Sequence, residues 1–212
     1  MAKIEPFERF TNHYENWFEK NKPLYLSELR LLKFLLNGIS VKRGLEIGVG
    51  SGRFAAPLGI PYGVDPSPKM LKIAKRRGIK AVRGIAESLP IGSETVDFSL
   101  MVTTICFVDD PIAALVEAER ILLPGGHFLI AFVDKNSPLG RIYEAKRNRS
   151  KFYGEATFFG TEELISAVEQ NTSLRLIKAG QTIFGTDVRE YPPKEGYGKG
   201  SFVGLLFKKA KV

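Results

Sequence analysis

From Gly44 to Lys208 short apolar runs alternate with stretches whose apolar residues recur every three or four positions, the rhythm of strands alternating with helices. The run ending at Glu46 reads as a strand, followed by a turn with glycines at 48, 50 and 52, a helical piece from Phe54 to Leu58, and a second strand ending at Asp65. Ser67 as N-cap, Pro68 at the first helical position and Gly78 past the end delimit a helix whose inward face is Met70, Leu71 and Ala74. Ile79 to Arg83 and Val96 to Val102 read as strands on either side of the loop 84–90. Asp109-Asp110-Pro111 caps a helix expected to continue through Leu123 and to end at Pro124-Gly125-Gly126. His127 to Val133 is a strand too continuously apolar to have a wet face. Thr161 caps a helix with Glu162 and Glu163 in its first turn; Leu174 to Phe184 and Ser201 to Lys208 then close the pattern as two strands, joined by the loop 191–200 and expected to pair antiparallel.

Two stretches stand outside this rhythm. Residues 6–38 predict two helices separated by Asn21-Lys22-Pro23: the first bears Phe7, Phe10, Tyr14, Trp17 and Phe18 at helical spacing, and the second, Leu24 to Leu36, stops at Asn37-Gly38. Packing is the simpler account of those aromatics taken singly, yet the chain enters the sheet directly after them. Residues 134–160 mix Arg141, Lys146, Arg147, Arg149 and Lys151 with Tyr143, Phe152, Tyr153, Phe158 and Phe159, the composition of a candidate lid beside a binding edge.

The alternation implies an α/β fold with a parallel, right-handed sheet. At 212 residues and 44% hydrophobic the chain suits a single domain, 1–212, with an N-terminal helical cap at about 6–38 and a lid insertion at about 134–160. The net charge of +8 favours anionic partners without specifying any; because the bases are interspersed with acids, solvated surface charge outweighs a nucleic-acid site. The lone Cys106 excludes an intramolecular disulfide, no Cys/His cluster has metal-ligand spacing, and no apolar run approaches membrane-spanning length. A cytoplasmic protein without a metal is expected.

The chemistry concentrates in Gly44 to Asp65. Glycines let backbone approach a ligand closely and adopt positive φ, the following amides point at any anionic group, and an acid at the next strand's tip can accept two ribose hydroxyls. The stretch therefore predicts a nucleoside-bearing ligand. A dinucleotide fingerprint started at Gly48 fails at Arg53; one started at Gly50 closes on Ala55 but lies late after the strand and leaves Asp65 close. The register Glu46-x-Gly48-x-Gly50-x-Gly52 fits without strain.

That register resembles motif I of the class I S-adenosylmethionine (SAM) dependent methyltransferases. The segments G-V-D-P-S-P-K-M-L, G-I-A-E-S-L-P-I, V-D-F-S-L-M-V-T-T and E-A-E-R-I-L-L-P-G-G-H-F-L-I follow in that family's order and spacing. Over residues 40–135 the chain is similar to the ubiquinone/menaquinone-type, methyltransferase domain 11-like group. The resemblance implies a Rossmann-like, seven-stranded, mostly parallel sheet with its last strand antiparallel, helices on both faces, and SAM across the carboxyl ends of the strands. It implies that Gly48, Gly50 and Gly52 pack under the methionine part, that Glu46 helps hold its ammonium, and that Asp65 takes the ribose hydroxyls. It further implies that Pro66 and Met70 flank adenine, that Ala86 offers its amide, that Glu87 sits at the ring's edge, and that Thr103 lies near the methionine end. Ile85 stands where the family often has an acid, which leaves adenine recognition to apolar contact and backbone; Thr103-Thr104-Ile105-Cys106 replaces a common Leu-His-His pattern, so no catalytic role is carried over to that strand tip.

Methyl transfer from a sulfonium needs alignment above all, and a base only if the acceptor must lose a proton. His127, just after Gly126, is expected at the end of the sheet away from the cofactor. His13 and Tyr14 are weak candidates for the acceptor side, Tyr14 also as a contact to SAM. The sequence thus supports a SAM-dependent methyltransferase of a small molecule, with S-adenosylhomocysteine as by-product. A non-catalytic SAM- or nucleotide-binding regulator, a tRNA or protein methyltransferase using the basic insertion, and, weakly, a NAD-dependent oxidoreductase are the alternatives.

Overall fold

The computed structural model describes residues 4–211. Five parallel strands come first in the chain: β1 (Gly44–Ile47), β2 (Tyr62–Asp65), β3 (Lys80–Arg83), β4 (Val96–Val102) and β5 (Leu122–Val133). They are joined by β6 (Arg175–Thr182), β7 (Lys194–Glu195) and β8 (Phe202–Lys208) in one sheet of order β3-β2-β1-β4-β5-β8-β6-β7. β8 is antiparallel to both β5 and β6. The sheet has eight strands where seven were expected, because the loop between the closing strands contributes the two-residue β7.

Helices cover both faces. The alternation of side chains along the central strands divides the core, with Phe98, Leu100, Val102, Leu129 and Ala131 on one face and Met101, Phe128, Ile130 and Phe132 on the other. On the first face lie α2 (Thr11–Lys20), α3 (Lys22–Leu36), α4 (Ala55–Leu58) and α5 (Pro68–Arg76), with the short α1 (Glu5–Arg9) against α2 and α5. α6 (Pro111–Arg120) and α8 (Thr161–Asn171) cover the second, and α7 (Pro138–Ala145) stands at the strand-end edge. The seat of α3 is set by two glycines paired across β6 and β8, Gly180 and Gly204. A Cβ at either would fall 2.8 Å from Leu31 or 2.4 Å from Leu35, so their absence lets the helix lie directly on the strands.

Several boundaries differ from the sequence reading. The first predicted helix is two, broken at Phe10, and α3 starts at Lys22 with Pro23 in its first turn rather than at Leu24. α6 stops at Arg120, and Pro124-Gly125-Gly126 does not end it; the tripeptide belongs to β5, where the register to β4 slips between Val96 and Phe98. Thr161 is not the cap of α8. Gly160 holds that position, and the Thr161 hydroxyl donates to Asp134 Oδ2 at 2.6 Å.

Candidate active site

All five parallel strands end at one edge, and the loops leaving them meet there, the general location of ligand sites in open α/β sheets. They enclose a cavity of about 640 Å³ lined by 34 residues from the strand tips, the three N-terminal helices and the segment 139–153. Its size lies within the roughly 300 to 1,000 Å³ of small-molecule sites.

Ordinary local chemistry builds one end. Gly48, Gly50 and Gly52 have φ of 71°, 51° and 82°, the left-handed region that glycine alone enters freely. Each serves a different neighbour. A Cβ on Gly48 would lie 2.2 Å from Thr104 Oγ1; on Gly52 it would crowd Ile79 at 3.2 Å; on Gly50 it would enter the cavity and meet only the Tyr14 hydroxyl, at 3.5 Å. The Gly50 amide donates to Asp65 Oδ2 and the Ser67 amide to Oδ1, both at 2.8 Å, so the acid at the tip of β2 braces the turn after β1. Burial pushes the Asp65 carboxyl up to about 6 against those two hydrogen bonds, and Glu8 adds to the rise. Ser67 donates to the Glu8 carboxylate and accepts the Met70 amide, capping α5 as the sequence predicts.

The expected site residues fall into three groups. Gly48, Gly50, Asp65, Pro66, Met70, Ala86, Glu87, Thr103, Tyr14 and His13 all line the cavity. Among them Glu87 is partly committed elsewhere, since its Oε1 accepts the Asp109 amide at 2.7 Å. Thr103 has φ 48°, rare for a branched side chain, with its amide tied to the Ala131 carbonyl at 2.8 Å. Glu46 and Gly52 lie off the lining. Glu46 is buried behind it, and its Oε2 has no hydrogen-bond partner. Burial drives its carboxyl well above the ordinary range, the Ala55 amide opposing and Asp65 reinforcing the shift. His127 is set apart altogether, at the start of the β5 run that pairs with β8.

The other end of the cavity is aromatic. Phe7 packs edge-on against Phe107 at 5.0 Å and tilts against Phe152 at 5.5 Å, while Tyr143 stacks on Tyr153 at 5.0 Å and Tyr153 on Phe107 at 5.9 Å. His13 stacks on Phe152 at 6.0 Å. Residues 5–18 and 143–153 thus meet ring to ring over the strand tips. α2 is fastened from its other side by Arg53, whose guanidinium reaches Glu15 at 2.8 Å and Glu19 at 2.9 Å, and by Arg77, which also donates to Glu15.

Glu28, which the sequence reading overlooked, lines this aromatic end from α3. It is 7% exposed and no hydrogen bond or ion pair meets its carboxylate among the described residues; burial alone pushes it up to about 8. The signal lay in its placement. Glu28 follows Leu24 by four positions and precedes Leu31 and Leu32 by three and four, so it sits on the apolar face of its helix.

The segment after β1 also bears on which nucleoside fits. α4 is a single turn, the Arg53 guanidinium is spent on Glu15 and Glu19, and the Gly50 amide is spent on Asp65. A dinucleotide pyrophosphate docks at the start of a full helix, and the single turn of α4 is not one. Among the described residues no group of three or more His, Cys, Asp or Glu side chains is arranged to hold a metal ion, and no helix is long and apolar enough to cross a membrane.

The methyltransferase domain family matches residues 45–130. A SAM-dependent methyltransferase of Thermotoga maritima, described as a possible histamine N-methyltransferase, is 48% identical, covering 97% of this chain and 99% of its own, with a TM-score of 0.92. An uncharacterized protein of Methanocaldococcus jannaschii is 42% identical over 205 residues, 96% of this chain and 98% of that protein. An uncharacterized methyltransferase of Mycobacterium tuberculosis is 30% identical over 133 residues, 60% of this chain and 53% of that protein, so the likeness spans about half its length. The chain belongs to the class I SAM-dependent methyltransferases, and it is an enzyme of that kind. SAM is the cofactor this family implies. The residues fit it: a buried acid at the β2 tip, a glycine whose Cβ would fill the cavity, and an unpartnered buried carboxylate oxygen behind the turn.

Proposed function

We propose that the enzyme transfers the methyl group of SAM to a small-molecule acceptor held at the aromatic end of the cavity. The carrying observation is the cavity's extent: one cavity of about 640 Å³ runs from Gly50 and Asp65 to Tyr143 and Tyr153, the size of a small-molecule site with a nucleoside end and an aromatic end. In this reading the 212 residues act as one domain, the N-terminal helices at about 6–38 as a cap and residues 134–160 as a lid. A cytoplasmic location is part of it, resting on the single cysteine, Cys106.

When bound, SAM supplies an already activated methyl group. The protein's work is then to bind, orient and exclude water. Asp65, braced by the Gly50 and Ser67 amides, would accept the ribose hydroxyls, and Pro66, Met70 and Ala86 would bound the adenine. Gly48 and Gly50 would leave room for the methionine part, with Glu46 behind them as the counter-charge to its ammonium. Thr103 and Tyr14 would flank the passage to the acceptor. Alignment of this kind is worth up to about 7 to 11 kcal/mol. The ring contacts between 5–18 and 143–153 would shut water out once both substrates are in place.

Titration calorimetry with SAM and S-adenosylhomocysteine, on wild type and Asp65→Ala, tests the cofactor half. Binding is expected in the wild type and weaker by about 1 to 3 kcal/mol in the variant, the loss when hydroxyls forfeit a charged acceptor. Transfer of labelled methyl to pooled small metabolites, with none to bulk tRNA or protein, tests the acceptor half. The reverse pattern would replace the small molecule with a polymer.

A further inference from the structure

We infer that Glu28 is the specificity-determining group of the acceptor site, and that it selects a small acceptor carrying a cationic amine beside an apolar or aromatic body. This rests on the methyltransferase reading above and names the acceptor's chemical class.

The inference starts from an imbalance. A carboxylate taken out of water and left unpaired is costly, so buried acids are met by cations or by hydrogen-bond donors. Other acids at this edge have partners: Asp65 has two amides, Glu8 has Ser67 and the Lys69 amide, Glu15 has Arg53 and Arg77. Glu28 has none, although one more leucine at its place would have extended the apolar face of α3. Its exposed remainder faces the cavity. The missing partner therefore belongs in the cavity.

The surroundings say what kind of partner. Tyr14 from α2, Tyr143 from α7 and Tyr153 all feel the charge of Glu28, and their hydroxyls have no hydrogen-bond partner among the described residues. The bases that line the cavity, Lys146, Arg149 and Lys151, are exposed and make no ion pair with it. An acid facing aromatic rings, without a basic residue to answer it, complements an alkylammonium, which gains from the carboxylate and from the ring faces together. Left alone the acid holds its proton, and an ammonium is the partner that makes its ionisation favourable; a carboxylate or a neutral alcohol offers it no such opposite charge. Glu28 is also distinct from the cofactor end. It projects from α3 beside Leu24, whereas the turn and Asp65 lie at the β1 and β2 tips, where Glu46 has the Ala55 amide and one oxygen without a partner.

Calorimetric titration of the full chain, saturated with S-adenosylhomocysteine, with matched pairs of probes tests this. Benzylamine, phenethylamine, tyramine and tryptamine are each compared with the alcohol or carboxylic acid of the same skeleton. At least one amine is expected to bind tenfold or more tightly than its alcohol. Glu28→Gln should erase that preference while changing S-adenosylhomocysteine affinity less than twofold, which also reports that the variant is folded. Failure of every amine to exceed its alcohol, or an undiminished preference in Glu28→Gln, overturns the inference alone. Loss of S-adenosylhomocysteine binding in Glu28→Gln assigns the acid to the cofactor and overturns it as well. A wild type that binds no S-adenosylhomocysteine sinks the methyltransferase reading from which it starts.

Discussion

Glu28 should leave a mark on stability that needs no ligand. Its carboxyl is pushed from the ordinary 4.5 up to about 8 by burial, so between those values the unfolded chain ionises while the folded one holds its proton. The folded state binds more protons there, and stability falls as pH rises through that window. Glu28→Gln removes this contribution. Melting curves of the two proteins should coincide near pH 4 and separate by pH 9 with the variant higher, at roughly 1.4 kcal/mol for each pH unit of displaced titration. Parallel curves would mean that the acid is solvated in the folded protein. The glycine turn offers a second test. Gly48→Ala forces a Cβ against Thr104 at 2.2 Å in a backbone with positive φ, and a loss of at least about 2 kcal/mol in chemical denaturation is expected. Gly50→Ala has a similar φ but only cavity ahead of its Cβ, so a loss of about 1 kcal/mol in stability should accompany a much larger loss in cofactor affinity. The turn was legible from glycine spacing, whereas the division of labour among its glycines depends on what each Cα faces. Glu28 was missed because one acid in an apolar helix looks like the wet face until the helix has a neighbour on that side.

Among the elements, α2 is fastened by charge as well as by its rings. It buries only Phe18 fully, and Glu15 joins it to Arg53 behind the glycine turn and to Arg77 at the end of α5. Burial would raise the Glu15 carboxyl, yet hydrogen bonds from Arg77 and Arg53 outweigh it and hold it below the ordinary range. The contribution is present above the ordinary carboxylate pKa of about 4.3 and is lost as pH falls. Glu15→Gln would leave two guanidinium groups facing each other, at a cost of about 1 to 3 kcal/mol. Faster hydrogen exchange in residues 11–20, with β4 and β5 unchanged, would identify that cost as local; uniform acceleration would make α2 part of the global unit. Elements with their own punctuation were legible: α5 has its serine cap and terminal glycine, and β4 its apolar positions Val96, Phe98, Leu100, Met101 and Val102. The break at Phe10 has no glycine or proline to announce it. Pro124-Gly125-Gly126 misled in the opposite sense, because the same residues that stop a helix also make a bulge, and only the pairing with β4 decides.

At the level of the whole molecule, alternating strands and helices made the parallel half of the sheet readable, while the order of the last strands depended on resemblance. Those strands carry a consequence for how the protein is made. β8 follows β6 in the chain yet lies between β6 and β5, pairing with Val133 through Phe202 and with Thr182 through the same residue. During synthesis the fully buried stretch Phe128 to Ala131 therefore emerges some seventy residues before its second partner, and until then β5 is an open apolar edge. Chains ended before Phe202 should accumulate as aggregates with the parallel half already formed, a result readable by sedimentation of truncated products. Soluble, monomeric truncations would show that the parallel half guards this edge without β8. The half of the sheet that builds the cofactor end is thus completed early, and the nascent chain must protect it until the last strand slides between its neighbours.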